Sequence, residues 1–579
     1  MNKSPSKPAD SLTQSHDGMT HSGLRKRIML KCFILSLLFT VAVGLFLVGI
    51  FVAGNKLENL LFYARVPLKD GSSLAIRNCV YFCMPATIII FIAANFIPYK
   101  AIKNKEKIKS FSKKTKFGFP LNQMRFLFNH GFLISSISIV LAIIFLGFQT
   151  SAWSYIAGMF RTTKIYEEKY VAPQDQTYVF PSEKKNLVYI FLESMETSYA
   201  SVEDGGFMEV SYIPHLTELA QDNISFSDTD KLGGAQPVTG TAWTVAAMVS
   251  QTSGIPLTIP ISKSNFGKDD TFLPGVYSIG QILEDAGYKQ TLMIGSKSTF
   301  AKRKDYFEEH GNYKIFDYFE AQKKWASDPE ENLPEDYYVW WGYEDFRLFE
   351  YARDEIENLA NGDQPFNFTM LTVDTHFTDG YKCEYCPESF DNQYANVINC
   401  SDDQVYDFVK WIQNHENPEI SENTVIVISG DHLTMDHSYF DSIDDSVKSR
   451  GRRIYNCFIN TGLSDKHTKN RVFTSMDMFP TTLAALGVSW GNDQLALGVN
   501  LFSGKPTLSE ELGLDEFSYQ LASSSDFYSD YIMDKNYQKY TLKPDEYEDE
   551  VGPSADSREG EYLSNEQKKR DQQSKSSIN

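Results

Sequence analysis

Two kinds of side chain in this sequence have the types and spacing to do chemistry together. The first is a group of threonines in "QPVTGTAWTVAAM", residues 236–248, where Thr239, Thr241 and Thr244 surround Gly240 just before a run of good helix formers. A threonine in such a place is an ordinary helix N-cap. It also stands where a helix start offers free N–H groups and partial positive charge, which suits a phosphate arriving at a hydroxyl. The second is a set of carboxylates and imidazoles at the ends of apolar runs. Glu193 follows "NLVYIFL", Asp374 and His376 follow "FNFTMLTV", and Asp431 and His432 follow "NTVIVISG". Taken singly, such a carboxylate is a cap or surface residue and such a histidine is structural. Together they are the oxygen and nitrogen ligands that zinc and manganese take. A divalent cation lowers the pKa of bound water, and a threonine hydroxyl beside it is activated in the same sense. The expected chemistry is attack of a threonine on phosphorus, giving a covalent phospho-threonine in a two-step transfer.

These residues need a scaffold. The apolar runs 186–193, 288–295, 366–374 and 423–431 are rich in β-formers and predict buried strands. Helical stretches at 242–252, 277–286, 342–360, 402–414 and 474–487 alternate with them. That alternation predicts an α/β fold with a mostly parallel sheet sandwiched by helices. In such sheets, sites gather at the carboxyl ends of the strands, where Glu193, Asp374 and Asp431 fall.

The catalytic domain is expected over 186–540, after a linker at 153–185 that mixes charge, Pro and Tyr. Polar tails are expected at 1–24 and 541–579. Between them, residues 25–152 carry three apolar stretches, Ile28–Val52, Val80–Ile97 and Phe132–Phe148. Each is about long enough to cross a bilayer as a helix, although the second is short and holds Pro85 and Asn95. The first is too long for a cleaved signal peptide. Arg25, Lys26 and Arg27 precede the first stretch, Lys31 lies in its first turn, and "KAIKNKEKIKSFSKKTK" lies before the third. By the positive-inside rule both basic segments are cytoplasmic, so three spans leave everything after about Ser151 outside. A net charge of −20 argues against nucleic acid as a partner. Of the seven cysteines, Cys383, Cys386, Cys400 and Cys457 fall in the outer domain. "CEYC" at 383–386 reads as a zinc knuckle, a redox pair or a disulfide in an exposed loop, with the disulfide favoured.

"NLVYIFLESME", "GTAWTVAAM", "VDTHFTDGY", "VISGDHLTM" and "DMFPTTLAALG" resemble, in that order, the sulfatase-like membrane transferases of the alkaline phosphatase superfamily. "GTAWTVAAMVSQTSGIPL" and "LALGVNLFS" point to the branch that transfers phosphoglycerol to periplasmic glucans, with lipoteichoic acid synthases as more distant relatives. The resemblance covers about 185–505. It implies a divalent metal, manganese first, with zinc or magnesium as alternatives. It places metal ligands at Glu193, Asp431 and His432, the nucleophile and a further ligand at Thr241, and substrate contacts at His376 and Arg303. Lys297 or Lys302 could replace Arg303 as a phosphate-binding cation.

The implied reaction moves phosphoglycerol from phosphatidylglycerol to a periplasmic or cell-surface glycan, releasing diacylglycerol, at a bacterial inner membrane. Phosphoethanolamine transfer to lipid A and metal-dependent hydrolysis are the alternatives. Sulfatase activity is disfavoured, because sulfatases convert a cysteine or serine to formylglycine and this chain has threonine. A non-catalytic scaffold is disfavoured by the intact ligand set. The resembling synthases have five spans, not three. Thr239 and Thr244 read as turn and cap residues, Asp436 and His437 as loop residues, Asp374 as an orienting group and Asp477 as a helix start. Trp340 and Trp341 read as packing residues, with headgroup or sugar stacking as the alternative.

Overall fold

The structure is a computed structural model and describes residues 21–51, 57, 61, 79–92, 121–258, 271–327, 333–334, 336–440, 443–464 and 466–534. The lysine loop at 100–116 and both polar tails, apart from residues 21–24, lie outside the described residues.

Six strands make one sheet: β1 (Asn186–Leu192), β2 (Lys289–Ile294), β3 (Lys314–Phe316), β4 (Phe366–Leu371), β5 (Thr424–Gly430) and β6 (Asn456–Ile459). Their order is β3-β2-β4-β1-β5-β6. All neighbours pair in parallel except β5 and β6, which are antiparallel. Every residue of β1, β4 and β5 is buried, as expected of central strands covered on both faces. Val188, Ile190, Leu192, Phe368, Ile426 and Ile428 belong to one apolar core.

The helices used below are α1 (His21–Phe51), α2 (Leu121–Gln149), α3 (Ala152–Met159), α4 (Pro214–Asp222), α5 (Thr244–Ser253), α6 (Arg303–Glu309), α7 (Asp345–Ala360), α8 (Gln393–Gln413) and α9 (Met478–Ala485). The predicted strands are present within a few residues. Helix α8 starts nine residues before the predicted 402, because the Asn392 side chain accepts from the Ala395 N–H and caps it there. Strands β3 and β6 were not expected: three and four residues at the sheet's edges are too short to leave a periodic signal.

Two helices, α1 and α2, are long and apolar enough to cross a membrane. Only 17% of each apolar window is buried, so side chains such as Phe33, Leu37, Leu133 and Leu141 face outward instead of filling a core. The two pack together closely at Gly49, where a Cβ would come within 2.9 Å of the Phe145 ring. Of the predicted second span only 80–92 are described, with a shorter apolar helix at Tyr81–Ile92. Residues 161–181 lie along the catalytic domain: Val171 pairs with Ala496, Val179 pairs with Ser489, and Tyr166 and Tyr170 are buried against Phe527.

Candidate active site

Strand register assembles the ligand set. In β1 and β5, Leu192 pairs with Gly430, so the next residues, Glu193 and Asp431, leave adjacent strands side by side. Phe191 pairs with Leu371 on the other side, which brings the loop after β4 to the same edge. The Glu193 N–H donates to Thr372 Oγ1 at 3.0 Å, and the Thr375 hydroxyl donates to the Glu193 carbonyl at 2.5 Å. Ser194 turns the chain with a φ of 54°. That turn aims its N–H at Asp431 Oδ1 (2.8 Å) and its hydroxyl at Glu193 Oε1 (2.7 Å).

Glu193, Asp431 and His432 are buried, with one ligand atom from each lying within 4.8 Å of the others. The His432 N–H donates to Asp431 Oδ1 at 2.6 Å, and Nδ1 bonds the Leu433 carbonyl at 2.8 Å. That bond puts the proton on Nδ1 and leaves the Nε2 lone pair available to a cation. His432 Nε2 lies 3.6 Å from Glu193 Oε1 and 3.4 Å from Asp431 Oδ2. Asp431 Oδ2 is buried without a hydrogen bond.

The electrostatics suit a bound cation. Burial and the Glu193 charge push Asp431 up to about 7. Burial also pushes Glu193 up, but the His432 and His376 charges and the Ser194 hydroxyl outweigh it and hold Glu193 low. For His432, burial is outweighed by Asp431 and Glu193, which raise it. Two buried carboxylates sharing protons with an imidazole, and one carboxylate oxygen left without a donor, form an oxygen–nitrogen set that suits zinc or manganese.

Of the three threonines near Gly240, Thr244 is the one that reaches this cluster. It is the first residue of α5, and its Oγ1 lies 3.3 Å from Glu193 Oε2 and 3.4 Å from His432 Nε2. Thr241 is hydrogen-bonded within its own turn instead. It is fully buried, its hydroxyl donates to the Val238 carbonyl (3.0 Å) and accepts from the Val238 N–H (3.2 Å), and so it closes its own turn. Gly240, with a φ of 78°, makes that turn possible. Thr244 is the first residue of that helix, "TVAAMVSQTS", and Thr241 lies in the turn before it. Thr239 lies away from the cluster, with its hydroxyl 3.3 Å from that of Ser518.

His376 is half-buried in the loop after β4, its Nδ1 bonded to the Phe377 carbonyl at 2.7 Å. Burial lowers its pKa against the pull of Glu193, and the His432 and Arg303 charges lower it further. It packs on Trp341, with ring centroids 4.7 Å apart. Trp341 in turn packs on Phe300, which lies under the Arg303 guanidinium. This aromatic chain links the two predicted substrate contacts, and only the tertiary structure places Trp341 in it. Arg303 is buried at the start of α6, donating to Ser296 Oγ (3.0 Å) and the Lys297 carbonyl (2.8 Å). Ala301 and Lys302 before it both have positive φ, at 56° and 64°, a strained turn of the kind found where a side chain must be aimed. Lys302 pairs with Asp305 at 2.7 Å.

Asp374 and Asp345 brace this loop. Asp345 accepts the N–H groups of Val373 and Asp374, and Asp374 accepts that of Asp345 in return. Asp477 accepts from the Thr474 and Val499 N–H groups at the start of α9.

Known proteins are similar to this chain over the same region. Phosphoglycerol transferase I of Escherichia coli strain SMS-3-5 is 28% identical over 338 residues, covering 57% of this chain and 41% of that protein. The same enzyme from the O157:H7 strain EC4115 is 28% identical over 341 residues with the same coverage. The chain thus spans about two fifths of the length of these curated relatives. Among solved structures, the lipoteichoic acid synthase LtaP of Listeria monocytogenes is 18% identical with a TM-score of 0.44, covering 58% of this chain and 80% of that one. The lipooligosaccharide phosphoethanolamine transferase A of Neisseria meningitidis is 13% identical with a TM-score of 0.40, covering 79% and 84%. The family described as Sulfatase matches residues 185–488, more than half of the chain and the whole of the sheet and ligand cluster, and the chain belongs to that family.

Proposed function

We propose that the protein is a membrane-anchored transferase that moves phosphoglycerol from phosphatidylglycerol to a periplasmic or cell-surface glycan, with Thr244 as the nucleophile. One observation carries this reading: a half-buried threonine hydroxyl at a helix N-terminus, 3.3 Å from Glu193 and 3.4 Å from His432. Thr241, as buried as Glu193, Asp431 and His432 and with its hydroxyl engaged at Val238, is the alternative nucleophile. The similarity to phosphoglycerol transferase I supports glycerol as the transferred headgroup.

Glu193, Asp431 and His432 would hold one divalent cation, manganese or zinc by their chemistry. When bound, it supplies positive charge that lowers the threonine pKa and stabilises the developing phosphate charge. The chain's own groups do the rest. Thr244 Oγ1 hydrogen-bonds Glu193 Oε2, which orients the hydroxyl and draws on its proton. Its oxygen attacks phosphorus, the diacylglycerol oxygen leaves with a proton, and phosphoglycerol remains esterified to Thr244. The free N–H groups of the first turn of α5 face that phosphate. In the second step the acceptor oxygen attacks phosphorus, the P–O bond to Thr244 breaks and Thr244 Oγ1 regains a proton, and His376, kept neutral near pH 7 by burial, is suited to take the proton of the acceptor hydroxyl. Arg303 adds positive charge nearby. Helices α1 and α2, with a third span, would hold this site at the outer face of the inner membrane beside its lipid donor.

The test is diacylglycerol release by the full-length protein from fluorescent phosphatidylglycerol or phosphatidylethanolamine, with Mn²⁺ or with chelator. Release from phosphatidylglycerol that needs metal and vanishes in Thr244→Ala is expected. Release from phosphatidylethanolamine alone would make the protein a phosphoethanolamine transferase. Cleavage of a soluble phosphodiester with neither lipid used would make it a hydrolase.

A further inference from the structure

Three of the cysteines converge in the loop that carries His376. Cys383 and Cys386 lie between β4 and α8, and Cys400 lies within α8. All three are buried and unbonded to one another, which contradicts the exposed-loop disulfide expected from "CEYC". Cys383 Sγ stands 3.5 Å from Cys386 Sγ and 3.7 Å from Cys400 Sγ. One ligand atom from each lies within 4.8 Å of the others.

This arrangement uses three sulfurs where a disulfide needs two. A disulfide would bring one pair to about 2.05 Å and leave the third thiol buried beside it. Thiolates on a tetrahedral zinc ion, at Zn–S about 2.3 Å, stand about 3.8 Å apart, close to the spacing found. The surroundings fit thiolates as well. The Cys386 N–H donates to the Cys383 carbonyl at 3.2 Å and closes a tight turn between the two sulfurs. The Gln404 amide, one turn beyond Cys400, lies 3.1 Å from Cys400 Sγ and 4.0 Å from Cys383 Sγ. Its Oε1 is buried without a hydrogen-bond partner. An amide flip exchanges its oxygen and nitrogen, so Gln404 is placed either to donate to the sulfurs or to offer an oxygen to a fourth position. Phe346 and Tyr381 pack against the cluster and shield it.

We propose that Cys383, Cys386 and Cys400 hold a thiophilic divalent cation, zinc by its chemistry, at a structural site separate from Glu193, Asp431 and His432. Soft thiolates select zinc over manganese or magnesium, whereas the other site is built of oxygen and nitrogen. Binding replaces the three thiol protons, which leave to solvent, and no electron is transferred. The site ties the His376 loop to α8. Tyr381, two residues before Cys383, donates its N–H to the Asp374 carbonyl at 2.7 Å, and Phe346 follows Asp345, the brace of that loop.

The experiment uses the full-length protein in detergent, carrying Glu193→Ala and His432→Ala so that the oxygen–nitrogen site is removed. Elemental analysis is expected to find one equivalent of zinc per chain, lost when Cys400→Ser is added. Cadmium titrated into zinc-stripped wild type is expected to give the ultraviolet charge-transfer band of a cadmium thiolate. That readout needs no cysteine variant to fold. Alkylation of the denatured, unreduced wild type is expected to modify all three cysteines. Modification of only one of the three, meaning a disulfide between the others, would overturn the proposal. So would zinc retained in the Cys400→Ser background, or cadmium binding without the thiolate band.

Discussion

Thr244 and Thr241 are three residues apart and differ in everything a nucleophile needs. Thr244 is half-buried, begins a helix and shares hydrogen-bonding distance with a carboxylate and an imidazole. Thr241 is sealed, and its hydroxyl satisfies both backbone groups of Val238. Thr244→Ala should therefore cost at least about a thousandfold in turnover, as loss of a covalent nucleophile does, with little change in melting temperature. Thr241→Ala should do the reverse. It leaves the buried Val238 N–H without a partner, about 1–3 kcal/mol, while the Val238 carbonyl keeps the Thr241 N–H at 3.3 Å and donor cleavage persists in the folded fraction. Turnover and thermal melts of the two variants side by side decide this; equal loss of activity without destabilisation in Thr241→Ala would return the nucleophile to that position.

At the scale of elements, the site depends on how tightly β1 and β5 lie together. A Cβ on Gly430 would lie 1.9 Å from the Met195 carbonyl oxygen, so even alanine must push apart the strand ends that carry Asp431 and Glu193. Gly430→Ala is expected to cost about 1–3 kcal/mol of stability. The displaced ligand should lower turnover by about 100-fold, since displacements near 1 Å have that effect; an unchanged turnover number would show that the site tolerates the shift.

Helix α8 also supports a neighbour. Asp402 sits in it and accepts the His215 and Leu216 N–H groups at 2.9 and 2.7 Å, capping α4 from outside. Burial lifts the Asp402 carboxyl from 3.8 to about 7, so between those values the folded chain keeps a proton that the unfolded chain has released. Its stabilising contribution is complete below about pH 3.8 and is lost as pH rises towards 7, by at most about 1.4 kcal/mol per unit. Denaturation of wild type and Asp402→Asn from pH 4 to 7 should show the wild type losing ground as pH rises. A constant difference would mean that Asp402 is charged throughout.

At the scale of the whole molecule, the apolar helices and the catalytic sheet divide the work. The candidate ligands and Thr244 all come from residues within 185–488, so the proposed chemistry is expected not to need α1 and α2. Deleting residues 1–150 should leave hydrolysis of a soluble phosphodiester within about threefold of the full-length rate. Turnover of a bilayer lipid should fall by about 100-fold or more, because anchoring supplies effective concentration and not contacts. Equal losses on both substrates would mean that the membrane helices shape the site itself.

That Glu193, Asp431 and His432 gather at one sheet edge was legible in the sequence because they follow apolar runs, and a run such as "NLVYIFL", all seven residues of it buried, fits little else than a strand covered on both faces. The α/β class followed from the same runs and the helices between them. Tertiary structure alone decided which residues meet across long stretches of chain. Register set Glu193 beside Asp431. The Gly240 turn bonded Thr241 back to Val238, while Thr244 stood beside Glu193 and His432. Loop packing laid Trp341 on His376, and α8 carried Cys400 to Cys383. The physical reason is one of range. Hydrophobic periodicity records whether a residue is buried, which is a local property of the chain. Which hydroxyl or thiol faces which partner depends on contacts between segments separated in sequence, and periodicity does not encode those.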